Sequence, residues 1–329
     1  MNEAHTISLR EISDLRTPWC LFVVATLDIA EHIAAGKCTI DQLATAAGCD
    51  QNVLHAILSH LAGNGVFLEP SAGIFELNEP ARQLLDPITK ASLDLDDIGG
   101  RFTHAWSTLL QLARTGRPAY DQLFGLPFWE DLSAHPDLSA SFDAIIGPPG
   151  HGVPDPHFQV SGGWDAIRTI VDVGGGTGAM LAEILRLRPG LRGILVDQPS
   201  TVERSKNIFQ AAGVLNRVTT LGQSFFDPLP AGADLYLLRG VLNDWPDREA
   251  AQILARCAQA AHPAGRVIIL KSIGPDGAPK ALTIEMVLLG GRYRTVTEFK
   301  ELAHSAGLEV MASGQQPSGY FVVECTPKQ

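Results

Sequence analysis

The 329-residue chain has no apolar run approaching the roughly 18 residues that a membrane-spanning helix requires. Its first twenty residues mix acidic and basic side chains and contain no apolar stretch of signal-peptide length. We therefore expect a cytoplasmic protein that makes no membrane contact.

Clustered positive charge is also lacking. The chain carries 25 Lys and Arg against 36 Asp and Glu, a net charge of −11, and no Lys/Arg run reaches four residues. Phosphate backbones would repel such a protein in the absence of a local basic patch. We expect no nucleic-acid partner.

Cysteine is scarce. The five cysteines are scattered and form no CxxC pair, so the sequence predicts reduced thiols and no metal site. The length is instead typical of about two globular domains.

The N-terminal part has helical periodicity. Apolar residues between Thr17 and Ala35 form a broad stripe, which predicts one largely buried helix. Thr39 is placed to cap a helix that Gly48 ends, and Asp50 to cap another that runs to about Ala62. Two short strands around a Ser-Ala-Gly turn then precede a helix near Glu79.

Two helices followed by a hairpin look like a winged helix, a fold that many DNA-binding proteins use. Between Thr39 and Gly65, however, there is no Lys or Arg, whereas a recognition helix needs cations for phosphates and base edges. We therefore interpret this segment as a packing or dimer surface rather than a DNA reader.

Residues 147–163 contain nine Gly or Pro residues in seventeen positions, which excludes regular helix or strand. The segment is either a linker or a lid over a cleft. It also carries His151 and His157, which are either solvated loop residues or ligands and acid/base groups.

After this segment, strand-like and helical stretches alternate, which indicates a parallel sheet of crossover units. The run Val171-Asp-Val-Gly-Gly-Gly-Thr-Gly places glycines where a strand turns sharply into a helix and a ligand can approach the backbone. Asp197 ends the next strand, where a carboxylate can bind both hydroxyls of a ribose. A nucleoside cofactor is implied.

The same glycines also satisfy the loose dinucleotide fingerprint, which is weak on its own. Two further features favour S-adenosylmethionine. Asp172 stands two residues before Gly174, where it can reach the cofactor's ammonium group directly or through water, and no second dinucleotide-binding half follows.

The chain resembles the S-adenosylmethionine-dependent O-methyltransferases that combine an N-terminal winged-helix dimerisation domain with a seven-stranded methyltransferase domain. The segments LRTPWCLFVVATLDIAEHIAAG, FWEDLSAHPDLSASFD, VDVGGGTG, FFDPLPAGA and VLNDWPD carry the likeness, which extends over nearly the whole chain. It is strongest to bacterial enzymes that modify aromatic polyketides and naphthoates.

This resemblance implies an α/β fold: a class I methyltransferase, Rossmann-like sheet with an N-terminal, mostly helical winged-helix dimerisation domain. We expect a dimerisation domain over residues 1–92, a helical substrate-lining connector over 93–163 and a cofactor domain over 164–329. It also implies a homodimer with a small-molecule substrate.

The resemblance further implies roles for individual residues. Gly174 and Gly176 are expected against the methionine part of the cofactor, Asp197 on the ribose, Ser224 near the adenine amine and Phe225 on the adenine ring. Arg239 occupies a position that is often Lys. The substrate candidates, each of which can equally be a core residue, are Phe128, Trp129, Phe142, Ile146, Met286 and Leu289, to which we add His151 of the Gly/Pro segment.

The sequence departs from the family at the catalytic positions. Where the family has a His that takes a proton from the substrate hydroxyl, this chain has Asn243, and where the family has two supporting Glu residues it has Lys271 and Tyr293. An Asn amide cannot act as a general base. We predict that Asn243, Lys271 and Tyr293 form a polar cluster near the cofactor's sulfonium, with Asp244, Glu285 or an anionic substrate to offset the charge of Lys271.

Two enzymatic functions remain open. General base catalysis contributes about 3 to 5 kcal/mol and positioning about 7 to 11 kcal/mol, so methyl transfer to an already nucleophilic acceptor can proceed without the His. Alternatively, the enzyme keeps the cofactor as a fixed charge and catalyses a non-methylating cyclisation, rearrangement, decarboxylation or hydroxylation. A non-enzymatic cofactor sensor is a third possibility.

Overall fold

The computed structural model describes residues 8–146, 154–278 and 283–329. The chain divides into two compact units, Met1–His104 and Ala105–Gln329. The first unit is mostly helical, whereas the second contains the large β-sheet that the alternation of strands and helices predicted. None of the helices within the described ranges is both long and apolar enough to cross a lipid bilayer.

The first unit consists of short helices and one hairpin. Its helices are α1 (Leu9–Ile12), α2 (Arg16–Thr26), α3 (Ile29–Ala34), α4 (Ile40–Ala47), α5 (Gln51–Gly63), α6 (Glu79–Arg82), α7 (Pro87–Leu93) and α8 (Ile98–Ala105), the last ending at the boundary between the units. Its strands are β1 (Leu68–Ser71) and β2 (Ile74–Glu76), which pair antiparallel.

The predicted helix caps of this unit are confirmed. The Thr39 side chain accepts a hydrogen bond from the Gln42 amide, and the Gln42 side-chain oxygen accepts one from the Thr39 amide, while Gly48 ends α4 in the left-handed conformation. Asp50 caps α5 through the amides of Asn52 and Val53. Each such cap contributes about 1 kcal/mol, so these polar residues fix where the helices begin.

The prediction of one continuous helix over residues 17–35 is wrong. The chain breaks between α2 and α3, where Asp28 adopts a left-handed conformation with φ 53° and its carboxylate pairs with Lys90. The break lets the two helices bury separate faces, with Val24 and Ala25 from the first and Ile29 from the second. The apolar stripe was broad because it belongs to two helices.

The hairpin after α5 completes the arrangement typical of a winged helix. Glu69 on β1 accepts hydrogen bonds from the Gly73 amide at 2.9 Å and from the Ser59 hydroxyl at 3.0 Å. These contacts tie the turn of the hairpin to α5. Phe67 and Phe75 pack into the core of this unit.

The second unit is an α/β layer structure. Its helices are α9 (Leu109–Thr115), α10 (Tyr120–Phe124), α11 (Phe128–Ala134), α12 (Pro136–Ile146), α13 (Ala179–Leu187), α14 (Pro199–Ala211), α15 (Asp247–Ala261), α16 (Ile284–Leu288) and α17 (Val296–Ser305). Its strands are β3 (Thr169–Val173), β4 (Arg192–Asp197), β5 (Val218–Gly222), β6 (Leu235–Arg239), β7 (Arg266–Leu270), β8 (Ile273–Gly274), β9 (Arg294–Thr295), β10 (Leu308–Gln315) and β11 (Phe321–Pro327).

Seven of these strands form one sheet in the order β10-β11-β7-β6-β3-β4-β5. Strands β3 to β7 are parallel, and Val171 at the centre pairs with Ile194 on one side and Tyr236 on the other. The predicted parallel arrangement is confirmed for β3 to β7, whereas at one edge β11 runs antiparallel to both β7 and β10. A short connection between β10 and β11 favours a hairpin, since a parallel pair would need a longer crossover.

Helices cover both faces of the sheet. One core layer contains α15 and α17 with Val171 and Val173, and the other contains α13 and α14 with Ile170. Successive strand residues point to opposite faces of the sheet, and since helices cover both faces, the residues of both orientations are apolar. Because β3 to β7 run in the same direction, their carboxyl ends meet at one edge, where ligands bind in open α/β sheets.

Candidate functional site

The chain turns sharply after β3 at the predicted glycine run. Gly174 has φ +66°, and a Cβ atom there would lie only 2.9 Å from Val241 and 3.3 Å from the Phe225 ring. Gly176 has φ +59°, and a Cβ at that position would meet nothing within 4 Å among the described atoms. The first glycine is required by space and conformation, and the second leaves backbone open to a ligand.

Asp197 at the end of β4 is tied to this turn. Its Oδ2 accepts a hydrogen bond from the Gly176 amide and its Oδ1 one from the Gln198 amide, both at 2.8 Å. Desolvation raises the pKa of Asp197 to about 6, although these backbone bonds favour the charged form. The structure therefore brings two predicted cofactor residues, Gly176 and Asp197, into direct contact.

Asp172 lies inside β3, beneath the turn. Its side chain is 1% exposed, and both carboxyl oxygens are buried without a hydrogen-bond partner among the described residues. Burial raises the pKa of Asp172 to about 7, Asp197 raises it further, and Arg239 opposes the shift. A buried carboxyl without donors is costly, so this position suits a ligand that supplies a cation or hydrogen-bond donors.

Arg239 and Lys271 extend the polar edge beyond β6 and β7. Desolvation lowers the pKa of Lys271, and the positive charge of Arg239 lowers it further. Lys271 has φ 60°, and its Nζ lies 5.8 Å from the centre of the Tyr320 ring. Lys271 and Tyr320 line a cavity of ≈ 350 Å³ together with Asp155, Ile273, Ser318, Gly319 and Phe321.

Ser224 and Phe225, which we predicted to contact the adenine, lie next to the glycine turn. Ser224 Oγ accepts a hydrogen bond from the Phe226 amide at 3.2 Å, and Phe225 lies against Gly174. The Phe225 ring also meets Trp245 edge to face, with ring centres 5.8 Å apart. Phe225 is thus placed between the glycine turn and the segment that follows β6.

Aromatic rings continue from Trp245 to the helices before the Gly/Pro segment. Trp129 on α11 stacks on Trp245 with ring centres 6.1 Å apart, and Phe142 on α12 meets Trp129 at 5.5 Å. Phe128 contacts both Trp129 and Phe142. We call Phe128, Trp129, Phe142, Phe225 and Trp245 the aromatic cluster. It brings the predicted substrate residues Trp129 and Phe142 together with the predicted cofactor residue Phe225.

Helix α12 is anchored close to Asp197. Arg204 on α14 binds Asp143 of α12, with 3.1 Å between its Nε and Oδ2, and reaches the Ser139 hydroxyl at 3.1 Å. Desolvation raises the pKa of Asp143 despite this pairing. Asp143 also raises, and Arg204 lowers, the pKa of Asp197. These couplings place the helix that carries Phe142 beside the cofactor residues.

Asn243 lies in the tight turn Leu242–Asp244 after β6. Its Nδ2 donates to Asp244 Oδ1 at 2.8 Å, and its Oδ1 accepts from the Ser272 hydroxyl at 2.9 Å. Desolvation raises the pKa of Asp244 well above its usual range. Ser272 follows β7 directly after Lys271 and is fully buried. Sequence reasoning missed Ser272, because nothing in the local pattern showed which of the two residues faces Asn243.

Arg294 holds the same turn from β9 and was also missed. It is 1% exposed, and its guanidinium donates to the Leu242 carbonyl at 2.7 Å, the Trp245 carbonyl at 2.8 Å and Asp247 Oδ1 at 2.9 Å. Burial lowers the pKa of Arg294, and Asp247 counteracts that shift. A buried guanidinium with this many acceptors fixes the path of the turn. In the sequence, Arg294 is marked only as the second Arg of the segment GGRYRT.

The other predicted site residues take separate positions. The Tyr293 hydroxyl lies against the backbone of Gly274, where a Cβ would come within 1.4 Å of it, and burial raises the Tyr293 pKa. Asn243 contacts Ser272 and Asp244, and Lys271 lies near Tyr320, so a joint cluster of Asn243, Lys271 and Tyr293 stays a prediction. The carbonyl of Met286 on α16 accepts from the Gly291 amide at 2.7 Å.

Two predicted positions lie next to or outside the described residues. Ile146 is half-buried at the end of α12, where the described range stops, and His151 lies outside the described residues. Over residues 8–146, 154–278 and 283–329, no three His, Cys, Asp or Glu side chains are grouped so as to hold a metal ion.

Comparison with known proteins places this architecture among methyltransferases. Residues 106–309 match the family model of the O-methyltransferase domain, and residues 10–87 match that of the O-methyltransferase dimerisation domain. The second match covers helices α2 to α6 and the hairpin of the first unit, and the first covers the glycine turn, the aromatic cluster and the Asn243 turn.

Individual relatives agree over nearly their whole length. The chain is 38% identical to the 2,7-dihydroxy-5-methyl-1-naphthoate 7-O-methyltransferase of Streptomyces carzinostaticus, over 97% of both chains. It is 37% identical to the aclacinomycin 10-hydroxylase RdmB of Streptomyces purpurascens, over 97% of this chain and 90% of that protein. The crystal structure of NcsB1, an O-methyltransferase from neocarzinostatin biosynthesis in complex with S-adenosylmethionine and 2-hydroxy-5-methyl naphthoic acid, superposes with a TM-score of 0.81 at 37% identity, over 98% of this chain and 100% of that one.

Proposed function

This chain belongs to the family of S-adenosylmethionine-dependent O-methyltransferases with an N-terminal dimerisation domain, and we propose that it methylates a small aromatic natural-product intermediate. One observation carries the proposal. In the glycine turn, the Gly176 amide donates to Asp197 Oδ2 at 2.8 Å. The buried Asp172 lies beneath the turn, and its carboxyl oxygens have no hydrogen-bond partner among the described residues. On its other side the turn contacts Phe225 of the aromatic cluster. A nucleoside site and a flat apolar site are thereby adjacent.

The residues at the glycine turn fit the cofactor. Asp172 offers two unpaired oxygens to an ammonium group, Asp197 retains accepting capacity for ribose hydroxyls, and Gly176 leaves open space at the backbone. When bound, S-adenosylmethionine supplies an electrophilic methyl group on a positively charged sulfur. The residues proposed to hold it are Asp172, Gly174, Gly176, Asp197, Ser224, Phe225 and Arg239.

The aromatic cluster supports a planar acceptor. Stacked and edge-on rings favour an aromatic ligand, since offset and T-shaped pairs contribute about 0.5 to 1.5 kcal/mol each beyond area burial. A naphthoic acid bound to NcsB1 has this chemistry. The proposed substrate contacts among the described residues are Trp129, Phe142, Ile146 and Met286.

No His is available in the Asn243 turn, so we propose transfer by positioning. Asn243 is held by Ser272 and Asp244 and can donate an N–H to the acceptor. Asp244, Lys271 and Tyr293 are proposed to set the charge around it. Such a site suits an acceptor that is nucleophilic without help from a base.

A direct test uses S-adenosylmethionine labelled in its methyl group and a panel of hydroxylated naphthoic acids. We expect label in the organic product for at least one member of the panel, with formation of S-adenosylhomocysteine. Full binding of the cofactor by calorimetry without transfer to any member would contradict the proposed substrate class.

A non-methylating reaction is the second candidate. The observation that favours it is the 37% identity to a hydroxylase, combined with Asn243 at the position where the sequence resemblance implies a His base. In that case the native substrate would be converted while the label stays wholly on the cofactor through many turnovers. The same assay therefore separates the two functions.

We also propose a homodimer formed through the first unit. The match to the dimerisation domain covers residues 10–87, and large apolar side chains are exposed there, among them Ile12, Leu15 and Val53. Light scattering at micromolar concentration is expected to give twice the chain mass. A monomer mass would contradict the dimer without affecting the assignment of the cofactor site.

A further inference from the structure

Three side chains form a directed chain of hydrogen bonds across the ends of β6 and β7. The Ser272 hydroxyl donates to Asn243 Oδ1 at 2.9 Å, and Asn243 Nδ2 donates to Asp244 Oδ1 at 2.8 Å. Among the described residues, the other acceptor near the Ser272 hydroxyl is the Leu270 carbonyl at 3.5 Å, which is too distant to compete. The single hydroxyl proton therefore goes to Asn243.

This chain decides which way the amide faces. An Asn side chain presents an acceptor on one side and two donors on the other. Asp244 Oδ1 accepts from the NH₂ group, and the Ser272 hydroxyl completes the arrangement by donating to the amide oxygen on the other side. One hydrogen of the NH₂ group binds Asp244, and the second has no acceptor among the described residues. Asn243 as a whole is partly exposed.

The backbone supports the same arrangement from both sides. Lys271 in the left-handed conformation precedes Ser272, whose side chain is fully buried. On the opposite side, the Arg292 amide donates to the Asn243 carbonyl at 2.8 Å, and Arg294 binds the carbonyl of Leu242. Asn243 is thus held both at its backbone carbonyl, by Arg292, and at its side-chain oxygen, by Ser272.

We propose that Ser272 is a positioning residue that fixes the Asn243 amide with its N–H donor toward the substrate, so that the site selects acceptors whose reacting oxygen is already ionised. This inference rests on the proposed methyltransferase function and narrows its substrate class to acidic phenols and enols. An N–H donor stabilises an anionic oxygen and cannot remove a proton from a neutral one. An acceptor bound as its anion needs no base.

The charges around the amide come from each element packed against it. Asp244 is negative when ionised and disfavours an anion, but desolvation raises its pKa and so favours the neutral carboxyl. Positive groups that favour an anion lie on or after β6, β7, α16 and β9. They are Arg239 at the end of β6, Lys271 after β7, Arg292 after α16 and Arg294 on β9, of which the last two bind Asp247.

The test measures the hydroxyl pKa of bound 2-naphthol by ultraviolet absorbance, in protein saturated with S-adenosylhomocysteine. This cofactor product has an uncharged sulfur, so a shift reports the side chains of the protein rather than a sulfonium. We expect the pKa of bound 2-naphthol to lie about one unit below that of free 2-naphthol, equivalent to about 1.4 kcal/mol. In Ser272→Ala we expect less than about a third of that shift, and in Ser272→Thr, which keeps the hydroxyl, most of it.

A second variant, Asn243→Ala, guards against a misfolded Ser272→Ala and should abolish the shift in the same way. Thermal unfolding and cofactor affinity of each variant, measured alongside, should stay close to those of the parent. The inference is overturned if the parent leaves the naphthol pKa unshifted, or if Ser272→Ala shifts it as strongly as the parent. Failure of 2-naphthol to bind would contradict the proposed aromatic substrate class and this inference together, whereas binding with an unshifted pKa contradicts this inference alone.

Discussion

Replacing Asp172 by Asn is predicted to stabilise the cofactor-free protein and to weaken its cofactor binding. The carboxyl is 1% exposed with both oxygens unpartnered, and its pKa is raised from 3.8 to about 7. Between these pH values the folded state keeps a proton that the unfolded chain has released. Stability therefore falls as the pH rises through this window, and it changes little above it.

The expected magnitude follows from that window. Each pKa unit is worth about 1.4 kcal/mol, so burying the ionised carboxyl costs about 4 kcal/mol at pH 8, whereas at pH 5.5 taking up the proton on folding costs about 2 kcal/mol. Asn carries no ionisable group and avoids this cost. Asp172→Asn should therefore be more stable than the parent, by an amount that grows by about 2 kcal/mol between pH 5.5 and pH 8.

Urea unfolding at both pH values and at one fixed protein concentration measures this difference, because a dimer's stability depends on concentration. Asp276→Asn is the matched control. Hydrogen bonds from Thr297 lower the pKa of Asp276, so this variant should be less stable than the parent by an amount that does not change between pH 5.5 and pH 8. With S-adenosylhomocysteine present, Asp172→Asn should lose about 1.5 to 3 kcal/mol of binding. A pH-independent or destabilising effect of Asp172→Asn without ligand would refute the reasoning.

Three further predictions concern other parts of the site. Asp197→Ala should weaken S-adenosylmethionine binding by about 2 to 4 kcal/mol in calorimetry, since it removes charge-assisted acceptors and frees the Gly176 amide, and unchanged affinity would contradict the cofactor assignment. Arg294→Met should lower the free energy of unfolding by about 2 to 4 kcal/mol, because it leaves the Leu242 and Trp245 carbonyls without their donor; a loss below about 0.5 kcal/mol would show that the turn does not depend on Arg294. Lys271→Ala and Tyr293→Phe should each lower kcat on the native substrate by more than about threefold, and two rates within that limit would exclude a catalytic polar cluster.

Local sequence signals predicted much of the fold. Thr39, Gly48 and Asp50 occupy the predicted cap positions, because capping depends on residues within four positions of each other. The break at Asp28 was not predictable in the same way. It depends on Lys90, which is 62 residues away, and on two helices that bury different faces.

The site shows the same division. The glycine turn and Asp197 were predictable, because strand ends and glycine spacing fix which residues meet at one edge of a parallel sheet. The contact between Ser272 and Asn243 joins residues 29 positions apart and depends on the left-handed conformation of Lys271, for which a Lys gives no signal. The position of Arg294 likewise depends on a two-residue strand pairing.

The central claim is methyl transfer to an aromatic acceptor without a His base, and the most direct measurement is the fate of a deuterated methyl group in a single turnover. The protein is loaded with S-adenosylmethionine carrying the label and mixed with its native aromatic substrate, and product and cofactor are then quantified by mass spectrometry. The account predicts one labelled methyl group in the product for each S-adenosylhomocysteine formed. A converted product without label, beside an undiminished amount of labelled S-adenosylmethionine, would contradict it.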